Sequence, residues 1–177
     1  MTRDSVRFKV LPPQWRLERI KYLTSVNQRT LGEDTDEDFE IQYIDISSVD
    51  SHGRVLERQL MRFGDAPSRA RRVLRRGDTI VSTVRTYLKA IAYIDGADEN
   101  LIGSTGFAVL TSKGQLHPKF LAYYARSTDF IDEVVARSVG VSYPAVNASD
   151  VADIRCPVTP YDGPMQNAYF LDGPNAK

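Results

Sequence analysis

Five arginines crowd the octapeptide RARRVLRR at residues 69–76: Arg69, Arg71, Arg72, Arg75 and Arg76. A guanidinium repeated at this density is suited to one kind of chemistry, presenting a fixed charge and several N–H donors to an anion. The charge around the cluster is segregated. Residues 33–53 hold eight acids (Glu33, Asp34, Asp36, Glu37, Asp38, Glu40, Asp45 and Asp50) and no lysine or arginine, whereas residues 54–89 hold ten bases against three acids, Glu57, Asp65 and Asp78. The formal net charge of the whole chain is zero, so the total conceals a local positive field. Taken alone, the cluster fits both an anion-binding face and a solvated surface that keeps the protein soluble.

Catalytic constellations are missing from the sequence. Cys156 lies between Arg155 and Pro157 with no histidine near it, so it reads as a small packing residue, and a single cysteine excludes an internal disulfide. His52 and His117 are isolated and give no zinc spacing. No G-x-x-x-x-G-K-[ST] loop and no G-x-S-x-G elbow occurs, and Gly103-Ser104-Thr105-Gly106 lacks the spacing of a dinucleotide fingerprint. The acids of 33–40 are crowded rather than placed as in a calcium loop and read as a disordered acidic loop. Glu40-Ile41-Gln42 has no lysine where a metal-dependent nuclease would want one. No catalytic residue, metal site or cofactor is expected. No run approaches the ~18 apolar residues of a membrane span, and this inventory suits a reducing cytoplasm.

The elements that must carry these residues follow from periodicity. At 177 residues and 42% hydrophobic, the chain has the size of one domain with a respectable core. Apolar residues at 17, 20 and 23 predict a helical face over 16–23, after Pro12-Pro13. Alternation over 39–45 predicts a strand that ends in the turn chemistry of SSVDSHG. Gly77-Asp78 opens a β-branched strand over 79–84, and 88–94 makes a second strand ending at Asp95-Gly96, so that only Arg85, Thr86 and Tyr87 lie between the two. Residues 106–110 read as a buried strand. Residues 118–126 and 128–137 read as helices, the second capped by Thr128 and carrying Phe130, Ile131, Val134 and Val135 on one stripe. The stretch GVSYPAVNASDVADIRCPVTP (140–160) reads as a loop, a short turn capped by Asn147 or Ser149, and a brief strand. Strands and helices mix without βαβ alternation. The expected class is α+β, with short helices around a twisted, mainly antiparallel sheet.

Five segments in order resemble a target-recognition domain of the DNA-specificity (S) subunit of type I restriction-modification systems. They are Pro12-Pro13-Gln14-Trp15 leading into 17–23; Arg75-Arg76-Gly77-Asp78 followed by the apolar strand to Val84 and the tip Arg85-Thr86-Tyr87-Leu88-Lys89; GSTGFAVL at 103–110; PKFLAYY at 118–124; and YPAVNASD at 143–150. The resemblance covers about residues 11–160. It implies that residues 1–160 form the recognition domain and that 161–177, interrupted by Gly163-Pro164 and Gly173-Pro174, form a non-helical tail. The long spacer helix and second recognition domain of such a subunit are absent from the sequence, which then reads as a truncated frame, an excised domain or a free-standing copy.

The resemblance implies a non-catalytic module that recognises double-stranded DNA and directs methyltransferase and restriction subunits to a target, in the cytoplasm and with no membrane contact. The helices that would dock those subunits are the missing ones. It also gives the basic residues roles: Arg69, Arg71, Arg72, Arg75 and Arg76 chiefly as phosphate clamps, and Arg85, Tyr87 and Lys89 as a tip presented to the major groove. Ser142 and Tyr143 join them on a DNA-facing loop, against the plainer reading in which the Tyr143 ring packs on Pro144 and the sheet. Two other readings stay open: a protein-interaction module or orphan fragment that binds a methyltransferase without reading DNA, and the recognition domain of a fused methyltransferase-nuclease.

Overall fold

The structure is a computed structural model that describes residues 13, 15–96 and 99–159. Among the described residues, ten strands pair in three sheets. The first four-stranded sheet has the order β2 (Thr24–Val26), β9 (Phe107–Ser112), β6 (Thr79–Ser82), β7 (Ile91–Tyr93), and every pair in it is antiparallel. The second has the order β4 (Gln59–Arg62), β3 (Glu40–Ile44), β8 (Leu101–Ser104), β5 (Ala70–Val73), with β3 and β8 parallel and the rest antiparallel. A two-stranded antiparallel ribbon joins β1 (Arg16–Arg19) to β10 (Arg155–Val158). Four helices complete the fold: α1 (Ile20–Leu23), α2 (Pro118–Ala125), α3 (Thr128–Arg137) and α4 (Ala148–Ala152). The α+β class with mainly antiparallel sheets is therefore what forms.

Period-two alternation explains the layering. In β6 the side chain of Val81 joins Leu110 in a core with Ile20, Phe120, Phe130 and Val151 of the helices. Its neighbour Ile80 joins Phe107 and Val109 in a second core with Ile44 and Leu101 of the other sheet. The first sheet thus lies between helices and second sheet, and each large side chain removed from water contributes about 1.5–3 kcal/mol. Ile41, Tyr43, Phe63 and Ile102 form a third cluster on the second sheet. Asp78 ties the layers electrostatically. It is 1% exposed and is bridged by Arg29 at 2.7 Å.

Several local expectations are corrected. Residues 16–23 are not one helix: 16–19 pair with β10, and only a single helical turn follows, because the backbone of Ile20 donates to Ile154 and the partner strand lies far away in sequence. Ser127, not Thr128, caps α3, its hydroxyl accepting from Phe130 N at 3.3 Å. Asn147 occupies the cap of α4 without bonding its backbone; its amide donates to Asp150 instead. The acidic loop is not a random segment, since Asp38 N donates to the Asp36 carboxylate and Phe39 N to the Asp36 carbonyl. Residues 101–112 are two strands joined by a tight turn, and the arginine-rich segment itself forms β5. Within 88–94 only 91–93 pair as a strand. The expectations placed on Pro12, Gln14 and 161–177 lie outside the described residues. Among the described residues no helix is long and apolar enough to cross a membrane.

Candidate nucleic-acid interface

Sheet topology gathers strand ends at one edge. β6 finishes, and its antiparallel neighbour β9 starts, at the same end as the last residues of β3 and β8 and the first of β5. Asp45, Arg69, Val84, Arg85 and Ser104 are the residues that emerge there. With Tyr43 and Ser47 they line a cleft of about 300 Å³. Backbone bonds fix its walls: Thr105 N donates to Arg69 O and Thr83 N to Gly106 O, both at 2.8 Å.

The connection between β6 and β7 is a strained tip. Residues Thr86–Leu88 form one 3-10 turn, and the residues on either side, Arg85 (φ 50°) and Lys89 (φ 52°), are both left-handed. A side chain in that region costs roughly 1–2 kcal/mol, so other contacts must hold the tip. Thr86, 5% exposed, places its hydroxyl 3.0 Å from that of Ser138. Ser138 donates its own hydrogen to Val134 O, so Thr86 is the donor. Val146 N donates to Thr83 O at 2.8 Å. The tip is thereby tied to the loop after α3.

That loop is a tight reversal. Val139 and Ala145 exchange backbone hydrogen bonds at 2.8 and 2.9 Å, and Gly140 has φ +106° with Tyr143 O 3.1 Å from where a Cβ would sit. A side chain there would be both left-handed and crowded. The reversal leaves Ser142 exposed, and Val141 wholly so. Tyr143 does not pack on the sheet: it is 70% exposed, and the Arg85 guanidinium lies 5.5 Å from its ring centroid, within cation–π range. Tyr87 and Lys89 are exposed on the adjacent tip.

The arginine cluster does not form a single patch. Arg69 lines the cleft. The ladder between β5 and β8 slips between Ala70 and Arg72, which makes Arg71 an extra residue in a bulge and turns its guanidinium onto the Phe63 ring, 4.6 Å from the centroid. Arg72 points to the opposite side and donates to Thr30 Oγ1 at 3.3 Å; desolvation lowers its pKa from the ordinary arginine value. Arg75 and Arg76 are exposed on the turn beyond the other end of β5. The acidic segment also neutralises part of the basic one, with Arg62 bridging Asp38 and Arg54 bridging Asp50, and Arg62 also bridges Asp65 within the basic segment.

Asp45 is a site residue that sequence reasoning missed. Its Oδ1 accepts from Ser47 N, Ser47 Oγ, Ser48 N and Ser48 Oγ at 2.6–3.3 Å. Burial raises its pKa, but these bonds from Ser47 and Ser48 outweigh burial and hold the carboxyl below its ordinary value. The pattern Asp-x-x-Ser is a capping box that the sequence does display. Arg29, the partner of Asp78, carries no such local signal. The assembled edge offers guanidinium donors, an aromatic face, hydroxyls and one anchored carboxylate: a set that can bind phosphate, stack on bases and pair with base edges.

No protein-family model and no curated protein matches the chain. Solved structures do. A chain of a type I restriction-modification system, described for its complex assembly and conformational transition, superposes with a TM-score of 0.81 at 33% identity, covering 91% of this chain and 41% of that one. The HsdS subunit from Thermoanaerobacter tengcongensis gives a TM-score of 0.74 at 34% identity over 88% of this chain and 40% of that one. An S subunit of a type I system from M. genitalium shares the fold alone, at 16% identity and a TM-score of 0.51, over 85% of this chain and 36% of that one. The chain thus spans about two fifths of the first two structures it matches.

Proposed function

Because the chain belongs with the target-recognition domains of type I restriction-modification specificity subunits, we propose that it recognises a specific sequence in double-stranded DNA. It performs no chemistry itself and supplies target choice to methyltransferase and restriction subunits carried on other chains. The observation that carries this reading is the anchored tip at the sheet edge: Arg85 held left-handed over Tyr143, beside a cleft lined by Arg69. A tip held against its backbone preference costs stability, and apart from Thr86 its side chains are exposed, as expected of a surface shaped for a ligand.

In this reading Arg85, Tyr87, Lys89, Ser142 and Tyr143 face the duplex at the edge, and Arg69 contacts it from the cleft. Arg75 and Arg76, exposed and with no ion pair to their guanidinium groups among the described residues, serve as phosphate clamps further along. Arg71 and Arg72 position β5 through Phe63 and Thr30. Selection of the chain against a library of random duplexes, followed by anisotropy titration at two salt concentrations, tests the proposal. The expected result is an enriched sequence bound with an affinity that falls as salt rises. Enrichment of no sequence, or binding indifferent to salt, refutes it.

A further inference from the structure

We infer that Asp45 is a base-reading residue, its free carboxylate oxygen accepting a hydrogen bond from an exocyclic amino group, cytosine N4 or adenine N6, in the major groove. The inference rests on the DNA reading proposed above. Its first support is the division of labour within the carboxylate. All four donors from Ser47 and Ser48 converge on Oδ1, and Oδ2 has no hydrogen-bond partner among the described residues, on a side chain that lines the cleft.

The second support is electrostatic. Arg69 and Arg85 line the same cleft, yet neither guanidinium forms an ion pair with the Asp45 carboxylate among the described residues, so the opposite charges are held apart rather than cancelling one another. An anion at a DNA-binding edge is repelled by phosphate and by the oxygen and nitrogen acceptors of guanine and thymine. It is tolerated only where it meets a donor, and in the major groove the only donors are the amino groups of cytosine and adenine. The two arginines supply the complementary preference for guanine O6 and N7 or for phosphate. A serine pair that fixes the carboxylate's orientation and keeps it ionised gives such a reader the rigidity that base discrimination requires.

The test is a cycle on both partners. Asp45→Asn keeps an acceptor at Oδ1 for Ser47 and Ser48 but replaces the free oxygen with an NH₂ donor. Random-duplex selection with the wild-type chain is expected to return one position restricted to cytosine or adenine. The variant is expected to lose or invert that preference and keep every other position, and to bind the original site about five- to a hundredfold more weakly, while its affinity for random duplex holds or rises because a charge repelled by phosphate is gone.

The DNA side of the cycle removes the amino group instead, using 2-pyrimidinone for the selected cytosine or purine for the selected adenine. Wild-type affinity should fall by a similar factor, and Asp45→Asn should be insensitive. Should Asp45→Asn not fold, as judged by its thermal melt, the analogue titration on the wild-type chain decides alone: a loss supports the inference, and affinity within about twofold overturns it. A variant that selects the same motif, or that weakens cognate and random duplexes together, shows a structural cap only and overturns it too. If the wild-type chain enriches no sequence, the DNA reading itself has failed. If it enriches a site to which both proteins respond alike, only the role of Asp45 has failed.

Discussion

Replacing Asp78 with alanine should be among the most destabilising single changes in this chain. The Asp78 carboxylate accepts from Arg29 Nη2 at 2.7 and 3.0 Å, from Thr111 Oγ1 at 2.6 Å and from Arg75 N at 2.8 Å. Its removal strips three groups of their acceptor and leaves a guanidinium unpaired. Loss of one member of a buried pair costs about 3–5 kcal/mol. The Arg29 side chain is 26% exposed, so water relieves part of its charge and the expected loss is about 3–4 kcal/mol. At about 2–4 °C per kcal/mol for a domain of this size, Tm should fall by about 6–16 °C. Urea unfolding followed through Trp15 measures it, since this is the only tryptophan and its ring centroid lies 6.3 Å from that of Phe120. A loss below about 1 kcal/mol, the value of an exposed pair, would refute the reasoning.

Other substitutions separate binding from folding. Arg76→Ala should reduce the slope of log affinity against log salt by about one without changing the selected sequence, whereas Arg85→Ala should cost about 1–3 kcal/mol on the selected site and much less on random duplex; both are read by anisotropy titration. Arg72→Ala should lower the urea midpoint and leave the salt slope intact, because its guanidinium is already bonded to Thr30. Gly53→Ala should destabilise by about 1–2 kcal/mol or more, since Gly53 has φ +78° and a Cβ would lie 2.7 Å from Ile91 O; thermal melting tests it. The Cys156 thiol, pushed well above its ordinary pKa by burial, should not react with a thiol reagent until denaturant unfolds the chain.

Local patterns were legible where a segment is stabilised by its own neighbours. Helices α2 and α3 follow from apolar stripes, and β3, β6 and β9 from alternation and β-branched content, because these signals lie within a few residues. What was hidden depends on pairing across the chain. Leu17, Ile20 and Leu23 have helical spacing, yet β10 claims Arg16–Arg19 as a strand. RARRVLRR read as a solvated face or a set of phosphate clamps because its composition is charged; pairing with β8 and a bridge to Thr30 make Ala70–Val73 a strand in which alternation and a bulge send Arg71 and Arg72 to opposite sides. The tip at Arg85 was visible as a short connection, but its left-handed residues are set by the contact of Thr86 with Ser138. The cleft around Asp45 exists only where the two sheets end together.

The ribbon of β1 and β10 has a consequence for how such a unit can travel. Arg16 lies opposite Val158 and Arg19 opposite Arg155, so the first and last strands of the described residues are neighbours, about 4.8 Å apart. Everything that faces the proposed DNA edge is enclosed between those two points. A segment with such adjoining gateposts is a cassette: it can be cut from one host polypeptide and spliced into another at a single surface position with little demand on the surrounding geometry. Exchange of the whole cassette would replace the proposed recognition edge in one genetic event.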